Sequence, residues 1–350
     1  MAQHHEIFMQ RCLQLALLGK HAVAPNPMVG AVLVYEGRII GEGYHKVFGG
    51  AHAEVECLAS VRDENRDKIE KSTLYVSLEP CAHHGKTPPC TDLILTHRIP
   101  EVVIGCTDTH HIVSGRGIAL LQEQGVSVIT SVLEKECRQL NERFFTFHEK
   151  KRPWMMLKWA ASGNGKIGKI GERVAISHPL TNRLVHKWRS ESAAIMVATN
   201  TALYDDPLLT NRHWGRQQPL RILLDMHLRL PEHLKIFQGG DNVIVFNGLK
   251  EAKNGHIHYV MLQTDLPLLP QISKKLYEMQ IQNVMVEGGA RLLNSFIDAS
   301  LWDEACVITN AGIIIDEGVD APQLNHATLH DRFEIVTDTI EIFRPNDSTL

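Results

Sequence analysis

The feature that most constrains the fold is an alternation of short apolar segments with amphipathic ones, in two runs. In the first run, strand-like segments such as Thr73–Leu78 and Glu101–Cys106 alternate with helix-like segments such as 90–97. Strands that alternate with helices need crossover connections, which place helices on both faces of one sheet. The second run starts at 154–159 and repeats the alternation without repeating its sequence. The sequence therefore predicts two α/β domains.

A polar stretch that contains a proline, residues 148–153, separates the two runs. Such a stretch is typical of a domain boundary. The chain of 350 residues is also longer than one hydrophobic core usually supports. We therefore predict one domain over residues 1–148 and a second over residues 153–350.

The periodicity of apolar residues predicts the individual elements. In the first domain these are helices at 5–19, 52–61, 90–97, 118–124 and 133–147, and strands at 29–35, 39–40, 73–78, 101–106 and 126–130. In the second domain, after a Gly-rich loop at 162–168, they are strands at 193–198, 220–225, 243–246, 258–262, 284–286, 304–309 and 333–343, and helices at 180–190, 269–279 and 291–298.

The composition disfavours several classes of protein. Apolar residues make up 44% and charged residues 22%, which is ordinary for a globular chain. A net charge of −4 gives no footprint for nucleic acid, although it allows a phosphate-bearing small molecule. No stretch reaches the roughly 18 apolar residues of a membrane span, and the N-terminus lacks the pattern of a signal peptide. Seven cysteines, mostly in apolar runs, are typical of a reducing compartment. We expect a cytoplasmic protein that binds neither nucleic acid nor membranes.

Two short motifs combine the residue types that bind catalytic zinc. His52 and Glu54 open one helical segment, Cys81 follows a strand, and Cys90 opens the next helix. Two thiolates and one imidazole fill three positions of a tetrahedral Zn²⁺ site and leave the fourth for water. A carboxylate beside the histidine can take a proton from that water and pass it to a leaving amine. Zinc nucleobase deaminases carry this signature with two residues between the cysteines, whereas eight separate them here.

Two other interpretations of these residues stay open at this point. A closed structural zinc site could use His83 or His84 as its fourth ligand, which would leave Glu54 without a task. Alternatively, the cysteines could be a buried pair beside a surface histidine, with no metal at all.

Longer motifs extend over nearly the whole chain. They are Pro-Asn-Pro-Met-Val-Gly-Ala-Val-Leu-Val at 25–34, Gly-Glu-Gly-Tyr-His at 41–45, Leu-Glu-Pro-Cys-Ala-His-His-Gly-Lys-Thr-Pro-Pro-Cys at 78–90, Leu-Lys-Trp-Ala-Ala-Ser at 157–162, Asn-Thr-Ala-Leu-Tyr-Asp-Asp-Pro-Leu-Leu-Thr-Asn-Arg at 200–212, Leu-Arg-Ile-Leu-Leu-Asp at 220–225 and Val-Glu-Gly-Gly-Ala-Arg-Leu-Leu at 286–293. In this order they resemble RibD, the bifunctional deaminase–reductase family of riboflavin biosynthesis.

The resemblance implies a cytidine-deaminase-like α/β/α domain followed by a dihydrofolate-reductase-like α/β domain. The first would use one Zn²⁺ per chain to deaminate a diaminopyrimidinone ribosylamine 5′-phosphate. The second would use NADPH to reduce the ribosyl side chain to ribityl. We also expect a homo-oligomer. In an alternative interpretation the chain is a deaminase whose second domain is a non-catalytic binding or scaffolding module.

The resemblance also implies the site residues. His52, Cys81 and Cys90 would hold zinc and Glu54 would move protons, while the deaminase substrate would contact Asn26, His45, Lys86 and Asp108. The reductase substrate would contact Lys158, Arg173, Arg189, Leu209, Arg212 and Glu287. The cofactor would contact Ala160, Ala175, Thr201, Asp205, Gly288 and Gly289, the last two at a helix start that can face a pyrophosphate. Without the resemblance, most of these residues would read as ordinary turns and solvated surface charges.

Three positions depart from the family pattern. His110 stands where the family has an asparagine. Gly163-Asn164-Gly165 replaces Leu-Asp-Gly, so a carboxylate is lost. Arg173 stands where the family has a serine.

Overall fold

The computed structural model describes residues 2–83, 88–109, 115–169, 172, 174–215, 218–238, 240 and 242–346. The predicted site residues Lys86 and Arg173, together with His110, lie outside these described residues. Two compact units divide the chain, and the first passes to the second between Lys150 and Lys151. Within the described residues, no helix is both long and apolar enough to cross a membrane.

The first unit is built on one mixed sheet. Its elements are α1 (Ala2–Leu17), β1 (Gly30–Tyr35), β2 (Arg38–Tyr44), α2 (Ala53–Ala59), a 3-10 helix (Asp63–Lys71), β3 (Thr73–Leu78), α3 (Cys90–Thr96), β4 (Glu101–Cys106), α4 (Arg116–Glu123), β5 (Ser127–Ile129), α5 (Glu134–Leu140) and α6 (Glu142–Lys150). The sheet order is β2-β1-β3-β4-β5. β1 is antiparallel to β2 and β3, whereas β3, β4 and β5 are parallel.

Helices cover both faces of this sheet, as the sequence predicts. Alternate residues of each strand point to opposite faces, so Leu74 packs with α2, α3 and α4, while its neighbour Tyr75 packs with α1 and α5. The parallel strands β3 and β4 end side by side. Their carboxyl ends therefore bring the loops after Leu78 and Cys106 to one edge of the sheet.

The second unit is built on a longer sheet and a small separate strand pair. Its elements are β6 (Trp154–Ser162), β7 (Lys166–Gly168), α7 (Pro179–Ser190), β8 (Ala194–Ala198), α8 (Thr199–Asp205), β9 (Leu220–Leu224), a 3-10 turn (Lys235–Phe237), β10 (Val243–Asn247), β11 (Ala252–Asn254), β12 (Ile257–Met261), α9 (Leu268–Glu278), β13 (Asn283–Val286), α10 (Ala290–Asp298), β14 (Glu304–Asn310), β15 (Val319–Asp320), β16 (Ala327–Ile335) and β17 (Asp338–Pro345). The sheet order is β11-β12-β10-β9-β8-β13-β6-β14-β17-β16, and β7 pairs with β15.

The strands from β12 to β14 in this order are parallel, and antiparallel strands complete both edges. One face packs against α9 and α10 through residues such as Leu276 and Phe296. The other packs against α7 and α8 through residues such as Trp188 and Ala202. The prediction of an α/β fold in both halves is confirmed.

Three predicted elements need correction. The helix predicted at 133–147 is two helices, α5 and α6, which are separated at Asn141. The Asn141 amide accepts from the Met28 main-chain N–H and donates to the Met28 carbonyl oxygen, each over 2.8 Å, and these bonds hold the chain at the break. The strand predicted at 333–343 is part of a hairpin, β16 and β17, that turns where Val336 has a φ of 56°. The Gly-rich loop at 162–168 contains β7, and helix α8 was not predicted.

Candidate functional sites

The three predicted zinc ligands come together at the carboxyl edge of the first sheet. His52 precedes the first turn of α2, Cys81 follows β3, and Cys90 is the first residue of α3. Their ligand atoms all lie within 4.8 Å of one another. His52 Nδ1 is 3.2 Å from Cys90 Sγ and 3.5 Å from Cys81 Sγ. Nitrogen and sulfur ligands on a tetrahedral zinc ion would lie roughly 3.5 Å apart, given metal–ligand bonds of about 2.0–2.3 Å. The donor set and its spacing fit zinc.

The surroundings favour a thiolate at Cys81. The Cys90 thiol and the His52 ring both direct donors at its sulfur, and the Cys90 main-chain N–H donates to it over 3.3 Å. These contacts hold the pKa of the Cys81 thiol well below its usual range. A metal needs this ionised form of cysteine.

Glu54 is buried in the first turn of α2, two residues after His52. Only 3% of its surface is exposed. Burial raises the pKa of its carboxyl, and the charge of the Cys81 thiolate raises it further. A carboxyl of raised pKa beside a cluster of metal-binding atoms is suited to accept and return a proton near neutral pH.

Asn26 and His45 lie together beside the metal centre, where the His45 ring stands 5.7 Å from the His52 ring between centroids. His45 Nδ1 lies 2.9 Å from the Ala51 carbonyl oxygen, which only accepts, so Nδ1 carries the proton. Burial lowers the pKa of His45, which favours the neutral ring. Its Nε2 then accepts from the Asn26 amide nitrogen over 3.1 Å. This arrangement fixes the Asn26 amide, whose oxygen can accept a hydrogen bond from a ring N–H or amino group.

Glu79 is a site residue that sequence reasoning missed. Its buried carboxylate, directly after β3, accepts main-chain N–H bonds from Asp108 at 3.2 Å, Gly115 at 3.0 Å and Gly117 at 2.9 Å. It therefore ties the end of β4, where the predicted substrate residue Asp108 is also buried, to the start of α4. A carboxylate directly after a buried strand was the available signal, but its partners are main-chain groups that carry no side-chain pattern.

In the second unit, a buried ionic cluster is formed by the middle of β6, the residue after β13 and helix α7. The Arg189 guanidinium donates two hydrogen bonds to Glu287, from Nε to Oε1 over 2.6 Å and from Nη2 to Oε2 over 2.8 Å. Lys158 Nζ lies 4.0 Å from the same carboxylate. Burial raises the pKa of Glu287, but the charges of Arg189 and Lys158 outweigh it and bring that pKa to about 2. Burial also lowers the pKa of Lys158. The structure thus brings together three of the predicted reductase residues.

Arg212 reaches this cluster through His186, which sequence reasoning also missed. The Arg212 main-chain N–H donates to His186 Nδ1 over 3.2 Å, and Arg212 Nη2 lies 3.3 Å from His186 Nε2. Burial lowers the pKa of His186 to about 4, and the charges of Arg189 and Arg212 add to this effect. The cations outnumber the single carboxylate of Glu287, so the cluster is suited to a bound anion.

The predicted cofactor residues Thr201, Gly288 and Gly289 lie side by side, where α8 follows β8 and α10 follows β13. Gly288 has a φ of 131°, a backbone conformation that residues other than glycine rarely adopt. A Cβ atom added to Gly289 would lie 3.2 Å from Thr201 Oγ1, so a side chain there would fill the space in front of the helix start. A backbone turn kept clear of side chains before a helix fits a phosphate group of a dinucleotide.

The other predicted residues of this unit are less concentrated. Ala160 is on β6 two residues beyond Lys158, and Asp205 is the last residue of α8. Ala175 is exposed ahead of α7. The Leu209 side chain is buried in the hydrophobic cluster beneath α7, so a ligand contact from this residue would come from its main chain.

Comparison with known protein families agrees with this geometry. The cytidine and deoxycytidylate deaminase zinc-binding region matches residues 2–106. The RibD C-terminal domain matches residues 153–316. The riboflavin biosynthesis protein RibD of Aquifex aeolicus is 36% identical over 342 residues, which cover 95% of this chain and 94% of that protein. RibD of Escherichia coli is 34% identical over 86% of both chains.

Solved structures show the same similarity. The crystal structure of a diaminohydroxyphosphoribosylaminopyrimidine deaminase/5-amino-6-(5-phosphoribosylamino)uracil reductase from Thermotoga maritima has a TM-score of 0.88 and 35% identity, over 98% of this chain and 99% of that one. RibD of Acinetobacter baumannii also has a TM-score of 0.88, with 28% identity and 99% coverage of both chains. With a cytidine-deaminase-like unit and a RibD-type reductase unit in this order, the chain belongs to the RibD family of bifunctional deaminase–reductase enzymes of riboflavin biosynthesis.

Proposed function

We propose that the first unit deaminates a diaminopyrimidinone ribosylamine 5′-phosphate, with one zinc ion per chain held by His52, Cys81 and Cys90. The observation that carries this proposal is the buried Glu54 carboxylate, which follows His52 at the start of α2, next to three ligand atoms that lie within 4.8 Å of one another. A closed structural site would need a fourth protein ligand. Among the described residues, which include His83 but not His84, no fourth ligand belongs to this group.

The side chains divide the deamination between them. Bound zinc supplies the Lewis acidity that lowers the pKa of water to near neutrality. Glu54 accepts the proton of the attacking water and returns a proton to the amine that leaves as ammonia. Asn26, held by His45, orients the pyrimidine through its amide oxygen. Asp108, in the loop anchored by Glu79, and Lys86 are proposed as further substrate contacts, Lys86 for the phosphate.

We propose that the second unit acts on the uracil that the deamination produces. It reduces the ribosyl group of this compound to ribityl, with NADPH as the hydride source. Thr201, Asp205, Gly288 and Gly289 are proposed to hold the dinucleotide together with Ala160 and Ala175. Lys158, Arg189 and Glu287, with Leu209, Arg212 and Arg173, are proposed to hold the sugar phosphate. The support is the surplus of positive charge around Glu287, because a phosphate dianion would balance it.

The experiment uses the full chain and the diaminopyrimidinone substrate, with NADPH, with NADH and without a nucleotide. We expect ammonia release in every case and the ribityl product, identified by its mass, with NADPH in preference to NADH. Ammonia release without a reduced product would favour the alternative, a deaminase with a non-catalytic second unit. Absence of ammonia release from zinc-loaded protein would reject the deaminase proposal. The proposed domain limits, 1–148 and 153–350, and a homo-oligomeric state can be tested on the same preparation by limited proteolysis and by mass in solution.

A further inference from the structure

His186 is a buried side chain at the centre of the cationic cluster, and neither the motifs nor the proposed reaction gives it a task. It lies on α7, three residues before Arg189, and only 4% of its surface is exposed. The His213 ring stands over it at 4.6 Å between centroids, with an angle of 87° between the ring planes. Four titratable groups act electrostatically on it, namely Arg189, Arg212, His213 and Glu287.

The hydrogen bonds of His186 fix its protonation. The main-chain N–H of Arg212 lies 3.2 Å from Nδ1. This group can only donate, so Nδ1 must be an unprotonated acceptor. A neutral imidazole then carries its proton on Nε2. The lowered pKa of His186 agrees with a neutral ring at neutral pH.

This tautomer places two donors against each other. The Nε2–H group of His186 faces Arg212 Nη2 at 3.3 Å, and a guanidinium has no acceptor. Within the described part of the chain, no acceptor lies at hydrogen-bond distance from His186 Nε2. A buried donor without an acceptor costs free energy. Both donors would be satisfied by one oxygen that accepts from His186 and Arg212 at the same time.

The charges around the pair favour a negatively charged oxygen. Arg189 occupies both oxygens of Glu287, at 2.6 and 2.8 Å, so this carboxylate is already engaged. Arg212 forms no ion pair with a described carboxylate. We propose that His186 is a ligand of the phosphate group of the reductase substrate, with its Nε2–H and the Arg212 guanidinium donating to the same phosphate. This inference rests on the proposed reductase function and adds a binding residue to that site.

Two amide substitutions can separate a ligand role from a structural one. His186→Asn keeps an acceptor near the position of Nδ1 for the Arg212 main chain but has no donor at the position of Nε2. His186→Gln places an N–H donor near the position of Nε2 but has no acceptor near that of Nδ1. The probe is ribose 5-phosphate, with ribose as the phosphate-free control, and binding is measured by calorimetry on the full chain. NADPH binding is measured on each variant to verify that the reductase unit is folded.

If His186 is a phosphate ligand, His186→Asn should bind ribose 5-phosphate roughly ten- to a hundredfold more weakly than the wild type, because a hydrogen bond to a charged group is lost. His186→Gln should bind it within about threefold of the wild type, a change smaller than the loss of one such bond. Neither variant should change ribose binding. The reverse order, or equal effects of the two substitutions, would show that His186 only positions the Arg212 loop and would overturn the proposal.

A measurement on the wild-type chain covers the case in which a variant does not fold. Inorganic phosphate should shift the nitrogen resonance of His186 Nε2 and slow exchange of its proton, and Arg212→Ala should remove both effects. An unchanged His186 resonance at saturating phosphate would overturn the proposal. Failure of the wild type to reduce its substrate would contradict the proposed function instead, and it would leave the phosphate response of His186 intact.

Discussion

At the scale of single residues, Glu54 is the side chain on which the proposed deaminase mechanism depends most directly. It is buried beside the metal centre, and its carboxylate is the group proposed to move protons. Glu54→Gln keeps the size of the side chain but cannot carry a proton. We expect the variant to retain zinc and to lose deaminase activity by about 10²–10⁴-fold. Ammonia release and metal content, measured on the same sample, check this expectation.

Glu56 offers a matched control on the same helix. Its carboxylate pairs with Lys46, and 26% of its side chain is exposed. Glu56→Gln should therefore leave both zinc content and the deaminase rate close to the wild type, because exposed ion pairs contribute little. A Glu54→Gln variant that keeps more than a tenth of the wild-type rate would exclude a role for Glu54 in proton transfer.

The residues that could be predicted from the sequence are those whose chemistry is encoded locally. His52, Glu54, Cys81 and Cys90 have a distinctive combination of types, so their motif indicates a metal centre before any fold is known. The Glu79 carboxylate accepts hydrogen bonds from main-chain N–H groups that are at least 29 positions away in sequence. No side-chain pattern marks such partners. His186 is similar, because the atoms that surround it come from a distant loop.

Asn164 shows how a sequence departure can be explained by structure. Asn164 stands where the family has an aspartate, and the sequence alone indicates only that a carboxylate is missing there. In the structure, the Asn164 amide donates to the Ile315 carbonyl at 2.9 Å and accepts from the Ile315 N–H at 3.1 Å. A carboxylate could accept but could not donate. Asn164 therefore connects the loop after β6 to the segment after β14 in a way that aspartate would not.

At the scale of elements, the Arg189–Glu287 pair joins α7 to the end of β13. The pKa of Glu287 is lowered from 4.5 to about 2 in the folded chain. Ionisation of Glu287, which the charges of Arg189 and Lys158 favour, therefore stabilises the folded reductase unit by roughly 3 kcal/mol above pH 4.5. This stabilisation is lost as the pH falls from about 4.5 through 2, where the folded-state carboxylate takes up its proton. Urea unfolding of the wild type should show this decline.

Glu287→Gln should remove the pH dependence that this pair contributes. At neutral pH the variant should be less stable by about 3–5 kcal/mol, because Arg189 keeps a buried charge without its partner. Between pH 4.5 and 2, the difference from the wild type should shrink. Glu278→Gln on α9 is the matched control, since its pair with Lys274 is exposed and 4.0 Å apart. Equal effects of the two substitutions at neutral pH would contradict this account.

The elements themselves were predictable where local periodicity decides them. β3 and β4 have the bounds that the apolar pattern predicts, because both strands are mostly buried and lie between residues that interrupt an apolar run, Ser72 and Glu79 around β3 and Pro100 and Thr107 around β4. The break between α5 and α6 depends on the bonds of Asn141 to Met28, which is 113 positions away. The turn at Val336 places a β-branched residue at positive φ, which local preference disfavours. Long-range contacts decide these two features, so the local pattern could not predict them.

At the scale of the whole molecule, both units have their candidate site at the same position in the sheet. In each, residues of the site follow parallel strands at their carboxyl ends, after β3 and β4 in the first unit and after β8 and β13 in the second. Loops at this edge can vary while the sheet stays intact, and ligands commonly bind there in α/β folds. Each hydrophobic cluster lies within one unit. The chain is therefore expected to tolerate loss of one site without loss of the other.

Cys90→Ser tests this independence. The substitution removes one of the three proposed zinc ligands of the first unit. The full chain should therefore lose most of its bound zinc, and deaminase activity should become undetectable. The NADPH-dependent reduction of the uracil product of deamination should keep a kcat/KM within about twofold of the wild type, because domains with separate cores can fold separately. Metal analysis and NADPH oxidation measure the two effects. Cys57→Ala, which changes a buried thiol of the same unit outside the metal cluster, should keep both zinc and deamination. A parallel loss of reductase activity in Cys90→Ser, with Cys57→Ala unaffected, would show that the metal centre supports the second unit as well as the first.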